Sequence, residues 1–477
     1  MAETAWVRPS ISAWLRSTAT ARPESLAVTC TDAPGRLTFA QLAEAAARRA
    51  EELTMVGPGD RVGVVMHRSL ETVPWLYAVW HRHATAVPLG PQLGRPQRQQ
   101  RFARVPVGAV IDTAARSPIT VLDARERPHT PHRLDPEVPL IMFTSGSTGV
   151  PKPVQITHRN LRAAAAANAE RVTGTADTVW FDPLPLEHMG GLLPIIRAPL
   201  YGMTTVIDAG FDADALTGRL QRSGATAVSL VPTMLRRWLA ATDAVPASLD
   251  AVLVGGAATP PDLIRRARAR GVPLYVTYGM TETTSQIATA TPAMLAEDPT
   301  TVGPPVAGVT VEVPAAADAD AAPGPLVVRG AVLSPGYLDG DRTGFTDGGF
   351  QTGDLAVMDA RGWLTIVGRS DRRIVSGGET VDPGVTEDVL AAVPWVRTAW
   401  VGGLPDEEWG ERVVAVVTTD APPQLPELIT RVSTALDPAH RPRSIYITDA
   451  LPRTASGTVD APAVRRFIAD AQPAWHA

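Results

Sequence analysis

The chain has 477 residues, more than a single hydrophobic core usually organises, so two or more domains are expected. Apolar residues make up 45% and charged residues 19%, which excludes global disorder; 44 basic against 49 acidic side chains leave a formal charge of −5 and no general pull toward nucleic acid. The lone cysteine, Cys30, excludes an intrachain disulfide framework and reads as a small buried hydrophobe. With no apolar run of membrane-spanning length and no signal-like N-terminus, a cytoplasmic protein without a membrane partner is expected.

In chain order, Leu37 to Leu53 carries apolar residues at helical spacing behind a Thr38 cap, and turns through Gly57 to Asp60 into an apolar strand, Arg61 to Met66. The alternation recurs. An Ala-rich helix follows Asn160, a strand covers Ala227 to Val231, a helix Pro261 to Arg270, and a strand Pro273 to Val276. Such alternation predicts an α/β fold of layered, largely parallel sheets. Ala315 to Pro325 reads as a surface loop, and Phe350 to Val367 as antiparallel strands. After Gly368 the pattern restarts, with strands at Thr398–Val401 and Arg412–Val417, which predicts domains at 1–368 and 369–477.

The apolar strand from Leu140 to Phe143 leads into Thr144-Ser-Gly-Ser-Thr-Gly-Val-Pro-Lys152. Two glycines let backbone N–H groups approach a polyphosphate, hydroxyls add donors, and the lysine adds a point charge. It is not a Walker A loop, because Lys152 is followed by Pro153. Taken alone, the segment is either a phosphate cradle or a plain Ser/Gly turn.

Continued through His158, it resembles the signature of the superfamily of acyl-CoA synthetases, peptide-synthetase adenylation domains and luciferases, with Pro153 where glycine is usual. Further motifs follow in order. Val254-Gly-Gly-Ala257, Tyr275 to Thr283, Thr352-Gly-Asp354, Gly368-Arg-Ser-Asp371 and Leu451 to Asp460 each resemble a motif of that family. The run from Tyr278 to Gln286 is most similar to the small aryl-acid CoA ligases, such as the o-succinylbenzoate type.

The resemblance implies a large N-terminal domain of α/β sheets with a β-barrel-like part, and a small mobile α+β C-terminal domain. It implies ATP with Mg²⁺ as cofactors, a small or aromatic acid as substrate, and CoA as the acceptor. By the same resemblance, Thr144, Ser145, Gly146, Ser147, Thr148, Gly149, Lys152 and Thr281 hold phosphates. Gly255, Gly256, Ala257 and Tyr278 border adenine, Asp354 and Arg369 hold ribose, and Glu282 holds Mg²⁺. His188 and Gly279 lie at the acid pocket, Asp371 is the hinge, and Gly377 and Gly378 admit the acceptor's thiol arm.

One motif breaks. Thr458 stands where the family has the lysine that bridges the attacking carboxylate and the α-phosphate. Lys152 is the only lysine in the chain, so no neighbouring lysine replaces it. Loss of one preorganised donor costs about 3 to 4 kcal/mol of transition-state stabilisation. Val385 and Thr386 also precede Glu387 where a carboxylate and an aliphatic residue are usual. Three readings follow. One is a two-step acid–CoA ligase. A second is a diazotase-like enzyme that activates nitrite and transfers it to an aryl amine in natural-product biosynthesis. A third is a nucleotide-binding protein that has lost catalysis, against which the other intact motifs count.

Overall fold

A computed structural model describes residues 10–31, 35–115, 117–122, 134–135, 137–144, 151–313, 323–369, 372, 374–376, 379–381, 383–406, 409–419, 421–436, 438–453 and 459–476. Four sheets organise these residues. The first has eight strands, with Leu274–Met280, Ala251–Val254, Ala227–Leu230, Val179–Asp182, Thr204–Ile207 and Leu26–Cys30 side by side in parallel. Antiparallel edge strands, Ser285–Ala290 and Arg36–Thr38, close it on either side. In the second sheet Ala109–Ile111, Arg61–Val65, Thr85–Leu89 and Leu140–Phe143 are parallel, and Ile119–Val121 and Pro153–Ile156 are antiparallel edges.

The inner strands are short, uninterrupted apolar runs because helices cover both faces. Arg61–Val65, Thr85–Leu89, Ala227–Leu230 and Ala251–Val254 are buried along their whole length. Even Arg61 is buried, its Nε donating to the Pro106 carbonyl at 2.7 Å. Helix starts follow side-chain caps. Thr38 and Gln41 form a capping box ahead of Phe39–Glu52. The Ala-rich helix starts three residues earlier than the sequence suggests, at His158, because Thr157 and Asn160 exchange bonds of 2.9 and 3.1 Å as its cap. The Asn160 amide also donates to the carbonyls of Ala331 and Leu333, tying this helix to the third sheet.

The third sheet is antiparallel, with strands Val309–Glu312, Gly324–Gly330, Phe345–Thr346, Gly349–Met358 and Leu364–Arg369. Residues 314–322, most of the expected Ala-rich loop, lie outside the described residues, and Gly324 and Pro325 belong to a strand rather than to that loop. The last strand of this sheet ends at Arg369, and the first strand of the fourth sheet starts at Ile374. The fourth sheet carries the long antiparallel pair Val396–Asp406 and Gly410–Thr419, with helices such as Pro383–Ala391 and Leu425–Ala435 around its own apolar clusters. Cys30 is half-buried rather than buried: it ends its strand one residue beyond Thr29, the last that the edge strand Arg36–Thr38 pairs with. Among the described residues no helix is long and apolar enough to cross a membrane.

Candidate active site

Parallel strands deliver their carboxyl ends to one crevice, where loops are free to carry chemistry. Phe143 leads to Thr144, Val254 to Gly255, and Asp182 to His188. The strand expected to end at Val276 continues to Met280, so Tyr278 sits on the strand itself. It pairs with Ser285–Ala290 across a tight turn in which Thr284 has φ 62°. The register shifts between Tyr278 and Gly279, and a Cβ on Gly279 would lie 1.7 Å from the Ser285 carbonyl oxygen. The hairpin backbone alone therefore requires glycine there. Gly255 presses on the same strand, where a Cβ would meet Thr277 Cγ2 at 2.6 Å, and Gly256 takes φ +79° before Ala257.

Tyr278 is joined to residues far along the chain. Its hydroxyl donates to Asp354 Oδ2 at 2.5 Å, while Arg369 Nη1 reaches Asp354 Oδ1 at 3.3 Å. Asp354 and Arg369 face each other in the antiparallel register of the third sheet. Thr352 fixes the turn by accepting from the Asp354 N–H at 3.0 Å, and Gly353, at φ +78°, leaves room for the guanidinium. Burial, then the neighbouring Asp354 carboxylate, holds the Tyr278 phenol well above its usual range.

A second chain of contacts runs through Tyr337. Its hydroxyl donates to Glu282 Oε1 at 2.8 Å, and Lys152 Nζ lies 4.9 Å from its ring centroid. Lys152 also pairs with Asp341 Oδ2 at 2.9 Å. The Thr343 hydroxyl first, then Lys152, hold the Asp341 carboxyl well below the usual carboxylate range. The Lys152 carbonyl accepts from the Thr144 N–H at 3.0 Å, and the Thr144 hydroxyl from the Lys152 N–H at 3.3 Å, so the two ends of the glycine-rich segment are clasped. Thr281 opens the turn that carries Glu282.

His188 occupies the N-cap position of helix Met189–Tyr201. It lines a cavity of about 10 Å³ with Phe143, Glu187, Gln92 and Arg101, room for one water-sized group. Burial first, with Arg101 assisting and Glu187 opposing, lowers its pKa, so the imidazole is neutral at pH 7. Gly191 holds the first turn in place, since a Cβ there would meet the Pro185 carbonyl oxygen at 2.4 Å.

The structure thus gathers Tyr278, Asp354 and Arg369 into one cluster and Lys152 and Glu282 into another. Ser145, Gly146, Ser147, Thr148, Gly149, Asp371, Gly377, Gly378 and Thr458 lie outside the described residues. Tyr337, Asp341, Glu187 and Arg101 were missed in sequence, although Glu187 stands beside His188, where a charge in an apolar run was itself a signal. Among the described residues no cluster of three or more metal-ligating side chains occurs. Glu282 nevertheless suits Mg²⁺. One of its oxygens takes the Tyr337 hydroxyl, the other has no hydrogen bond from a described residue, and Mg²⁺ on a nucleotide usually needs only one or two carboxylates besides phosphates.

A crevice at the carboxyl ends of two parallel sheets, joining an aromatic face, a paired carboxylate and a lysine at a glycine-rich loop, defines a nucleotide-using enzyme. The family model described as AMP-binding enzyme matches residues 15–338, and that of the AMP-binding enzyme C-terminal domain matches residues 386–458, so the chain belongs to the AMP-binding, adenylate-forming enzymes. The 2-succinylbenzoate–CoA ligase of Bacillus pumilus is 30% identical over 464 residues, covering 93% of this chain and 95% of that protein. The Bacillus subtilis counterpart is 29% identical, with 93% and 95% covered. Among solved structures, o-succinylbenzoate CoA synthetase from Bacillus subtilis with its acyl-adenylate intermediate superposes at TM-score 0.86, with 28% identity and 98% and 99% of the two chains covered. The same enzyme with ATP and magnesium ion superposes at 0.84, with 28% identity and 95% and 99% covered.

Proposed function

We propose that this enzyme activates a small or aromatic carboxylic acid as its AMP ester, releasing pyrophosphate, and passes the acyl group to an acceptor, CoA by resemblance. The observation that carries the reading is the convergence of Lys152, Tyr278, Glu282, Asp354 and Arg369, spread over more than 200 residues of sequence, into two clusters on one strand and the turn that follows it. In this reading Tyr278, Gly255, Gly256 and Ala257 border adenine. Asp354 accepts from ribose hydroxyls, with Tyr278 and Arg369 fixing its orientation. Thr144 to Gly149, Lys152 and Thr281 hold phosphates. Glu282 supplies a Mg²⁺ ligand, and the ion, when bound, offsets phosphate charge. His188, neutral and at a helix N-terminus, faces the acid, with Gly279 nearby.

The C-terminal domain, 369–477, turns about Asp371 between the two half-reactions in this reading, and Gly377 and Gly378 line the acceptor's path. Thr458 leaves the adenylation step without its bridging lysine, and this favours keeping nitrite among the acids to be tried.

The test is pyrophosphate release from Mg-ATP by the purified chain across 2-succinylbenzoate, benzoates and nitrite, with CoA or arylamines as acceptors. Release with a carboxylic acid and thioester formation with CoA supports the reading. Release with nitrite and amine alone replaces it with the diazotase reading, and no release at all leaves a nucleotide-binding protein.

A further inference from the structure

Beside the small cavity at His188 lies a larger one of about 330 Å³, at the carboxyl ends of strands from both parallel sheets and within the size range of small-molecule sites. Met66, Arg68, Gln92, Pro185, Glu187 and Ala209 line it. Gln92 and Glu187 line both cavities, and the bond between them, Gln92 Nε2 to Glu187 Oε1 at 3.0 Å, is the partition.

Two charged groups in this larger cavity are unfinished. The Glu187 side chain is buried, and its second oxygen has no hydrogen bond from a described residue. The Arg68 guanidinium makes no hydrogen bond to a described residue either, and its Nη1 is shut off from solvent. Asp182, a carboxyl within electrostatic reach of Arg68, is fully buried, and its Oδ2 makes no hydrogen bond with a described residue, so it does not complete the guanidinium's hydrogen bonding. A guanidinium left so in a pocket suits a carboxylate, which accepts from two of its N–H groups at once.

Glu187 favours one class of nucleophile on its own side of the partition. A carboxylate beside a thiol disfavours the thiolate by like charge, whereas it suits an amine, which becomes cationic as it attacks and must shed a proton. We infer that the larger cavity is a binding site for a small carboxylated amine, its carboxylate on Arg68 and its amine toward Glu187, and that such an amine is a further acceptor for the activated acyl group. The transfer rests on the adenylate reading above. The amine nitrogen forms a bond to the acyl carbon, the bond from that carbon to the AMP oxygen breaks, AMP leaves with the electron pair, and the amine proton passes to Glu187.

The test has two arms on the full-length chain. In the first, saturation-transfer NMR measures binding of glycine, β-alanine and 3-aminobenzoate against ethylamine and aniline. At least one amino acid is expected to bind tenfold or more tightly than the amine lacking its carboxylate; Arg68→Gln abolishes the difference and Arg68→Lys restores part of it. In the second, the adenylate of an acid that supports pyrophosphate release is formed first and AMP release by the bound amino acid is followed. Glu187→Gln is expected to lower kcat of this release about 100-fold with KM changed less than threefold. Equal binding by wild type and Arg68→Gln, or an unchanged kcat in Glu187→Gln, overturns the proposal. Absence of pyrophosphate release with every acid sinks the adenylate reading instead, while the binding arm still decides whether the site exists.

Discussion

In the proposed reading, Asp354 is the residue on which the nucleotide site turns. Both of its oxygens are engaged, by Tyr278 and Arg369, so a change there loosens three motifs at once. Asp354→Asn keeps the size and loses the charge, and is expected to raise KM for ATP at least tenfold, because charge-assisted bonds are the stronger ones. Tyr278→Phe, which removes only a hydroxyl, is expected to raise it less; initial rates at varied ATP compare the two. Thr458→Lys addresses the opposite case, a missing donor. It is expected to accelerate adenylation of a carboxylic acid by about two orders of magnitude, and an unchanged single-turnover rate would count against a limiting role for that charge.

Tyr278, Asp354 and Arg369, which the structure brings together, were legible in sequence because each lies in a motif with its own chemistry. Tyr337 and Asp341 were not, because nothing in Pro335 to Asp341 beyond turn residues marks them, and only the third dimension brings them to Glu282 and Lys152.

At the scale of elements, helix Met189–Tyr201 carries two internal prolines, Pro194 and Pro199, yet stays helical. Pro199 has no N–H to give the Ile195 carbonyl four residues back. The Tyr77 hydroxyl gives one instead, at 2.9 Å, from a fully buried side chain. Tyr77→Phe therefore strands a buried carbonyl and is expected to cost about 1 to 3 kcal/mol, read from the midpoint of urea unfolding. Gly191→Ala attacks the start of the same helix and is expected to impair acid-dependent turnover more than ATP binding, because His188 would shift with that turn.

The Ala-rich helix begins at His158. Burial, with His83 assisting, lowers that imidazole from 6.5 to about 4, and a helix N-terminus also disfavours its cation. The unfolded chain takes the proton first. Its contribution to stability is therefore complete above pH 6.5 and is lost as the pH falls to about 4, by at most about 3 kcal/mol. Unfolding midpoints of wild type and His158→Gln between pH 7.5 and 4.5 should converge as the pH falls. Helix and strand identities here were readable from periodicity and caps. Their ends were less so, since the extension of Leu274–Met280 depends on its partner strand rather than on its own residues.

For the whole molecule, the alternation of strands and helices announced the parallel sheets correctly, because buried strands between helical layers have to be apolar throughout. The composition of the chain did not announce the two adjoining cavities. They arise where loops from separate sheets meet, and no local pattern encodes such a meeting. The third sheet stops at Arg369 and the fourth begins at Ile374, and the hinge of the proposed reading falls between them. Proline fixes φ and restrains the residue before it. Asp371→Pro is therefore expected to depress transfer to the acceptor far more than pyrophosphate release, or the reverse if the locked form is the transfer form. Equal loss of both steps with an unchanged unfolding midpoint would count against a hinge.

The clasp at Lys152 has a practical side. Because the chain has a single ε-amino group, and that group rests on Asp341 and the Tyr337 ring, an amine-acylating reagent meets one internal target whose reactivity depends on what fills the crevice. The intact mass after brief acylation, with and without nucleotide, therefore counts occupied sites directly, with no label introduced and no turnover required.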